Sequence, residues 1–181
     1  MKPLNQHSKQ ALERQLSSRG IDTSSWGTGT AKTAGDLWAE IELGEARLED
    51  NPFRRVVSVV ELLIVQDGRY LVEAEQEFED GQRRKRHMLP AEKSKEGEKP
   101  VETARRCLME ELGLKPGSIH KVWQRDHYST SLEESPSYPG LPTEYEITRV
   151  EAEVKKLPDT DFWTEEKEDM EKEPVRRHRW T

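Results

Sequence analysis

A short stretch near the middle of the chain combines an arginine, a cysteine and two adjacent glutamates at spacings that suit a helix. Cys107, Glu110 and Glu111 are separated by three and four residues, so they share one helical face. Arg106 precedes Glu110 by four residues, so these two side chains are adjacent on the helix. Carboxylate oxygens are the preferred ligands of hard divalent cations such as Mg²⁺, which also bridge to phosphate oxygens. The pattern is typical either of a metal site for a phosphorylated ligand or of an ordinary exposed acidic helix surface.

The residues around this helix extend the pattern into a longer motif. The stretch from Glu92 to Leu114 has the sequence EKSKEGEKPVETARRCLMEELGL. It resembles the Nudix signature, which consists of Gly, five residues, Glu, seven residues, Arg-Glu-aliphatic, one residue, Glu-Glu, one residue and Gly-aliphatic. The residues that match are Glu98, Arg106, Leu108, Glu110, Glu111, Gly113 and Leu114. Glu92 replaces the first glycine, and Cys107 replaces the first glutamate of the helix.

The resemblance to the Nudix family implies a fold, a cofactor and a set of site residues. It implies Mg²⁺ or Mn²⁺ as the cofactor, with Glu110 and Glu111 as metal ligands and catalytic residues. The resemblance also implies that Arg106 is a catalytic residue and that Glu98 is a metal ligand. Charge pairing between Arg106 and Glu98 would hold the loop against the helix. The implied ligand is a nucleoside diphosphate joined to another group, or another small phosphorylated molecule.

The two altered positions lead to two functional hypotheses. A thiol is a poor partner for Mg²⁺, and a lone helical cysteine without an evident histidine partner is typical of packing, so Cys107 does not replace the missing carboxylate. A side chain at Glu92 obstructs the backbone carbonyl that the signature glycine offers, and we expect Glu92 and Glu96 to be exposed. The alternative is that the carboxylate of Glu92 or Glu96 reaches in and restores the lost charge.

The first hypothesis is a Nudix-type pyrophosphohydrolase that acts on a nucleoside diphosphate derivative, weakened by the altered box. The second is a catalytically impaired Nudix-fold module that binds a ligand, or a protein partner through the N-terminal extension.

Some Nudix enzymes take their base from outside the box, and the candidates here are Glu133, Glu134, Glu144 and Glu146. Tyr138 and Tyr145 near the same loop are candidates for stacking on a base, although packing is the safer interpretation. We interpret His87 and His127 as ordinary polar residues.

The composition excludes several other classes of protein. The net charge is −7, so no broad basic surface exists for nucleic acid. Cys107 is the single cysteine, which excludes an internal disulfide and favours the cytoplasm or another reducing compartment. The start of the chain lacks the apolar core of a signal peptide, and no stretch approaches about 18 consecutive apolar residues, so we expect no membrane span.

The elements that must position the site follow from the hydrophobic periods. An amphipathic helix is predicted from Ser8 to Arg19, and a second begins near Thr33 with a capping signal. Its buried side is expected to include Leu37, Trp38, Ile41 and Leu43. Val56 to Val65 is predicted to be a central strand covered on both faces.

Two turn signals predict antiparallel hairpins after this strand. Asp67-Gly68 should connect it to a strand from Tyr70 to Phe78, and Asp80-Gly81 should connect that strand to a basic edge strand. We interpret the run from Arg83 to His87 as a solvated strand that balances nearby acids, with phosphate binding or nuclear import as alternatives.

The motif helix should run from Pro100 to Leu112 and end at Gly113. Strand character returns at Ser118 to Tyr128 and at Glu144 to Val154, on either side of a proline-rich loop that is a candidate functional loop. We therefore expect an α+β protein with a Nudix-like α/β/α sandwich and a mixed sheet over residues 51–181, preceded by a helical extension over residues 1–50.

Overall fold

The computed structural model of the chain describes residues 8–155, 157–165 and 175–181, and these residues confirm the α+β class. The helices are α1 (Lys9–Ser18), α2 (Ala34–Glu42) and α3 (Pro100–Glu110), with a 3₁₀ helix at Pro116–Ser118. The strands are β1 (Arg47–Asp50), β2 (Phe53–Gln66), β3 (Arg69–Tyr70), β4 (Glu73–Phe78), β5 (Arg83–Met88), β6 (Ala91–Lys93), β7 (Ile119–Glu134), β8 (Pro142–Val154), β9 (Phe162–Glu165) and β10 (Val175–Trp180).

The strands form two sheets. The first sheet has the order β1-β2-β8-β7, with β3 and β6 also paired to β2. The second has the order β5-β4-β10-β9. The prediction that β2 is a central strand and that the basic β5 lies at an edge is confirmed.

The described residues divide into two compact units. The first unit takes its residues from Met1–Val59, Lys93–Glu98 and Tyr128–Ile147, and the second from Val60–Glu92, Lys99–His127 and Thr148–Thr181. The long strands β2, β7 and β8 contribute residues to both units. Each unit has its own cluster of buried apolar side chains.

In the first unit, α1 and α2 form a core with the loop before β8. Ser8 caps α1 by accepting a hydrogen bond from the backbone N–H of Ala11, and Thr33 and Asp36 form the expected capping box of α2. The buried members of this core are Leu12, Leu16, Trp26, Leu37, Leu48, Tyr138 and Leu141.

One prediction about the buried face of α2 was wrong. Leu43 is exposed, and Glu40 is buried instead. The Glu40 carboxylate lies 2.5 Å from Arg55 and 3.1 Å from the ammonium groups of Lys32 and Lys93. Three cations compensate the burial of this charge, which apolar periodicity alone does not reveal.

In the second unit, α3 packs its apolar face into a core with residues of β2 and β8. The helix contributes Ala104, Cys107 and Leu108, and the strands contribute side chains such as Leu62 and Val150. The helix predicted from Pro100 to Leu112 is confirmed, although its last α-helical residue is Glu110. Gly113 adopts a φ of 64°, as a helix-ending glycine should.

The chain changes sheets inside the segment that was predicted to be one strand from Tyr70 to Phe78. The Asp67-Gly68 hairpin is confirmed, because Val65 pairs with Tyr70. The backbone N–H of Leu71 still donates to Ile64, but that of Val72 donates to Thr181 at 2.9 Å. The segment is therefore divided into β3 and β4, which belong to different sheets.

The second sheet places the acidic strand β4 between the basic strands β5 and β10. Glu73 pairs with Arg86 at 3.1 Å and with His178 at 2.6 Å. Glu77 pairs with both Arg83 and Arg177. The basic run of β5 therefore balances acids on its neighbour, as the preferred interpretation of this run predicted.

Candidate functional site

Helix α3 is fixed at both ends, and it presents its charged residues from a rigid support. Pro100 occupies the first turn, and the Glu102 carboxylate accepts a hydrogen bond from the backbone N–H of Lys99 at 2.9 Å. At the other end, the N–H of Leu114 donates to the carbonyl of Leu108 at 3.1 Å, which closes the turn around Gly113.

The altered loop position Glu92 lies in the short strand β6 without backbone strain. The backbone N–H of Leu62 donates to the carbonyl of Pro90 at 2.8 Å just before β6, which pairs with β2. Among the described non-glycine residues, positive φ occurs at Asp67 and His87 and not at Glu92. A side chain is therefore tolerated where the signature has glycine.

The side chain of Glu92 turns towards α3, so the expectation that it would be exposed was wrong. Its side chain is 18% exposed, and its carboxylate lies 3.4 Å from the Nη1 atom of Arg106. One carboxylate oxygen of Glu92, one of Glu111 and the Sγ of Cys107 all lie within 4.8 Å of one another. This direction was not predictable from the sequence, because a strand of three residues is too short to show a clear alternation of apolar and polar residues. Glu96 is exposed, as expected.

Arg106 links Glu92 to the second glutamate of the signature pair. Its Nη1 atom lies 3.5 Å from the Glu110 carboxylate, whose side chain is 40% exposed. The expected adjacency of Arg106 and Glu110 on the helix is confirmed. Glu110 is on the solvent side of Arg106 and is not one of the three converging donors.

Cys107 is fully buried among the apolar residues of the second unit. Burial raises the pKa of the Cys107 thiol well above its ordinary value, and the charges of Glu111 and Glu92 raise it further. The side chain is therefore a neutral thiol rather than a nucleophilic thiolate. The interpretation of Cys107 as a packing residue is confirmed.

Glu98 belongs to the first unit, and its carboxylate accepts a hydrogen bond from the backbone N–H of Lys95 at 3.0 Å. This bond spans the turn of the signature loop, in which Gly97 adopts a φ of 78°. Glu98 therefore shapes the loop. Its assignment as a metal ligand stays a prediction.

Two of the candidate bases outside the box are committed to ion pairs. Glu146 pairs with Arg47 at 2.8 Å and accepts a hydrogen bond from Ser58 at 2.8 Å. The hydrogen bond from Arg47, opposed by partial burial and assisted by Ser58, lowers the pKa of Glu146 below its ordinary value. Glu144 pairs with Arg54 at 2.9 Å. A lowered pKa makes Glu146 a weaker acceptor for a proton, which argues against it as the base.

The other two candidate bases lie at the end of β7. Glu133 accepts a hydrogen bond from Ser131 at 2.5 Å, and Glu134 accepts one from the backbone N–H of Gly140 at 3.2 Å. Both line an open cavity of about 410 Å³ in the first unit. They therefore shape the loop before β8.

The two candidate stacking tyrosines have structural contacts. Tyr138 is fully buried, and its ring centroid lies 5.1 Å from that of Trp26, whose indole N–H donates to the carbonyl of Pro139 at 2.9 Å. Tyr145 donates a hydrogen bond to the hydroxyl of Ser135 at 3.3 Å. Packing, the safer interpretation, is confirmed for Tyr138, because its ring has no free face for a base.

A comparison with models of protein families matches residues 52–180 to the NUDIX domain. The chain belongs to the Nudix family. The match covers most of the chain, and it includes the whole segment from Glu92 to Leu114 and both sheets beyond β1. A search of curated proteins found no match. Among the described residues, no helix is long and apolar enough to cross a membrane.

Nudix proteins generally use divalent cations, and the donors of the second unit fit such an ion in part. Glu92 and Glu111 supply two partly buried carboxylates that face each other across a few ångströms. The third donor, Cys107, is a thiol, which Mg²⁺ binds poorly. The family's carboxylate cluster is thus reduced by Cys107 and restored in part by Glu92.

Proposed function

We propose that this protein is a divalent-metal-dependent Nudix hydrolase that cleaves the diphosphate linkage of a nucleoside diphosphate joined to another group. The observation that carries the proposal is the position of the Glu92 carboxylate beside Glu111. It provides a second acidic ligand on the face of α3 where Cys107 has removed one. The nearby cation of Arg106 supports the same assignment, because its ion pair with Glu92 orients that carboxylate.

The roles of the residues follow from their positions. Glu92 and Glu111 would hold the divalent cation, which would supply positive charge to neutralise the diphosphate oxygens. Arg106 is a positioning residue, because its guanidinium contacts both Glu92 and Glu110. The partly exposed cluster lies at the surface of the second unit, where a phosphorylated ligand has access to it.

Glu110 is our candidate for the acceptor of the proton from the attacking water. Its side chain is 40% exposed, against 18% for Glu92, so it can contact solvent directly. The water oxygen forms a bond to phosphorus, the bond from phosphorus to the bridging oxygen breaks, and one water proton passes to Glu110. The leaving group departs as a phosphate with its own negative charge.

A substrate screen tests the proposal. The full-length protein is incubated with nucleotide sugars, dinucleoside polyphosphates, ADP-ribose and NADH in the presence of Mg²⁺, Mn²⁺ or Zn²⁺. We expect cleavage of at least one class, and a loss of at least about 100-fold in Glu111→Gln, since even residues behind metal ligands contribute about 10- to 100-fold. Glu96→Gln, which removes an exposed acid from the same loop, is the matched control. Failure of the wild type to exceed Glu111→Gln on every substrate would contradict the proposal.

One observation favours the second candidate function, a Nudix-fold module that binds without efficient chemistry. The first helical glutamate of the signature is replaced by Cys107, which packs in the core. Such a module would bind a phosphorylated ligand, or a protein partner through residues 1–50. It predicts that the double variant Cys107→Glu, Glu92→Gly gains turnover and that calorimetric binding of ADP-ribose survives Glu111→Gln. Efficient turnover by the wild type would exclude it.

A further inference from the structure

The three converging donors of the second unit form a mixed set of oxygen and sulfur. The carboxylate oxygens of Glu92 and Glu111 and the Sγ of Cys107 lie within 4.8 Å of one another. Bonds of about 2.3 Å to sulfur and about 2.1 Å to oxygen place neighbouring ligands of a tetrahedral ion roughly 3.4 to 3.6 Å apart. Side-chain rotations that move each donor by about an ångström therefore suffice to enclose an ion.

The thiol provides a second observation beyond the presence of two acids. Cys107 is fully buried and is not in a disulfide, and its thiol makes no hydrogen bond among the residues described by the structure. Its sulfur is nevertheless directed to the edge of the core where both carboxylates meet. A small side chain at this position packs in the core, and the ion pair with Arg106 holds the Glu92 carboxylate beside it.

The chemistry of the donors selects among cations. Mg²⁺ demands a near-octahedral shell of oxygen ligands, so replacing one ligand by sulfur weakens its binding. Zn²⁺ and Co²⁺ accept thiolate and carboxylate together in tetrahedral sites with three protein ligands. An ion held by these three residues would keep a fourth position for water or a phosphate oxygen, and the side chain of Glu92 is partly exposed.

We propose that Glu92, Cys107 and Glu111 form a thiophilic metal site that binds Zn²⁺ or Co²⁺ in preference to Mg²⁺. The site is the one used in the proposed function, and the inference rests on that proposal for what the ion does there. Whether the ion binds is an independent question. The replacement of a signature glutamate by Cys107 is on this view a change of metal preference rather than a simple loss.

Cobalt spectroscopy tests the inference with a readout that does not depend on activity. Cys107 is the single cysteine of the chain, so a sulfur-to-cobalt charge-transfer band reports on this residue alone. The tag-free, full-length protein is titrated with Co²⁺ under reducing conditions. We expect one equivalent of Co²⁺ to produce the band, Zn²⁺ to abolish it by displacement, and an excess of Mg²⁺ to leave it unchanged.

Two variants and a control complete the test. Cys107→Ser should lose the band and bind Zn²⁺ on the order of 100-fold more weakly. Glu92→Gln keeps the thiol, so it should retain the band but require a higher Co²⁺ concentration; it also serves if Cys107→Ser does not fold. Glu96→Gln should behave as the wild type does. Absence of the band in the wild type, its displacement by Mg²⁺, or an unchanged Co²⁺ affinity in Glu92→Gln would overturn the inference.

The outcomes separate this inference from the proposed function. A cobalt-thiolate band without cleavage of any substrate supports the metal site and contradicts the hydrolase. Cleavage with Mg²⁺ by a protein that shows no band supports the hydrolase and contradicts the thiophilic site.

Discussion

At the scale of single residues, Arg106 connects the acids of the candidate site. Its guanidinium lies 3.4 Å from Glu92 and 3.5 Å from Glu110, and its side chain is largely buried. A planar guanidinium can contact two carboxylates at once, whereas an ammonium is a compact point charge. The arginine therefore sets the geometry of both acids.

We predict that Arg106→Lys preserves the fold but lowers turnover by about 10- to 100-fold, because a displacement of about an ångström in a catalytic group has an effect of this size. Steady-state kinetics on the substrate found in the screen measure the change, and circular dichroism checks the fold. Arg105→Lys on the exposed side of α3 is the control. Equal turnover in both variants would contradict a positioning role for Arg106.

Glu40 provides a second prediction at this scale. Burial by itself raises the pKa of the Glu40 carboxyl, but the charges of Arg55, Lys93 and Lys32 together lower it to about 2, against 4.5 for the free group. A depressed pKa in the folded state contributes stability that is complete above the unfolded value and is lost as the pH falls. The loss should therefore occur between about pH 5 and pH 2 and amount to about 3 kcal/mol.

Urea unfolding over this pH range measures the effect. Glu40→Gln should unfold more easily at pH 7 by about 3–5 kcal/mol, because it leaves Arg55 buried without its counter-charge. The free energy of unfolding of this variant should also depend less on pH below pH 5. Glu42→Gln, on the exposed side of α2, should do neither. Parallel pH profiles for the wild type and Glu40→Gln would show that the buried carboxylate does not contribute in this way.

At the scale of elements, the end of α3 determines where Glu111 is placed. Gly113 has a φ of 64°, a conformation that an alanine adopts only with strain. We predict that Gly113→Ala destabilises the protein by about 1 kcal/mol. Gly117→Ala is the matched control, because this glycine has no positive φ and an added Cβ meets nothing within 4 Å. Thermal unfolding of both variants measures the difference, and equal melting temperatures would contradict the role of the cap.

The helices and hairpin turns were predictable from the sequence because their signals are local. The Thr33 capping box, Pro100 and Gly113 mark helix ends, and Asp67-Gly68 marks a turn. The division of β3 from β4 was missed because it depends on pairing with the C-terminal end of the chain. The closing β10 was likewise unassigned, since its basic residues pair with β4 about a hundred positions away in sequence.

In the candidate site, too, the residues of the helix were predictable and the contacts between distant segments were not. The helical residues Arg106, Glu110 and Glu111 were identified because they match the signature, and a fixed period places both glutamates on the face of Cys107. The inward direction of Glu92 was not, because it depends on the pairing of β6 with β2. The buried charge of Glu40 was missed for the same reason: its partner Arg55 lies on another element.

At the scale of the whole molecule, the N-terminal extension shares a core with part of the Nudix match. Leu12, Leu16 and Leu37 pack in the same cluster as Tyr138 and Leu141. The first unit thus draws on residues both before and after position 51. The organisation into an extension (1–50) and a domain (51–181) remains a proposal about the chain.

We predict that a protein truncated to residues 51–181 does not fold stably, because Tyr138 and Leu141 lose their apolar partners. In the full chain, Leu16→Ala should lower the free energy of unfolding by about 2–5 kcal/mol. Leu43→Ala, which changes an exposed leucine, should lower it by much less. Denaturant unfolding and size-exclusion chromatography measure these effects. A cooperative, monomeric 51–181 fragment would show instead that the extension is dispensable for folding.

We propose that Glu92 supplies an acid that the altered Nudix box would otherwise lack, and the variant Glu92→Gly is the sharpest test of this role. This variant restores the signature glycine while it removes the carboxylate. The measurement is kcat/KM of wild type and variant on the best substrate, at a saturating concentration of divalent cation. We predict a fall on the order of 100-fold, comparable to that of Glu111→Gln. An unchanged or higher kcat/KM in Glu92→Gly would contradict it.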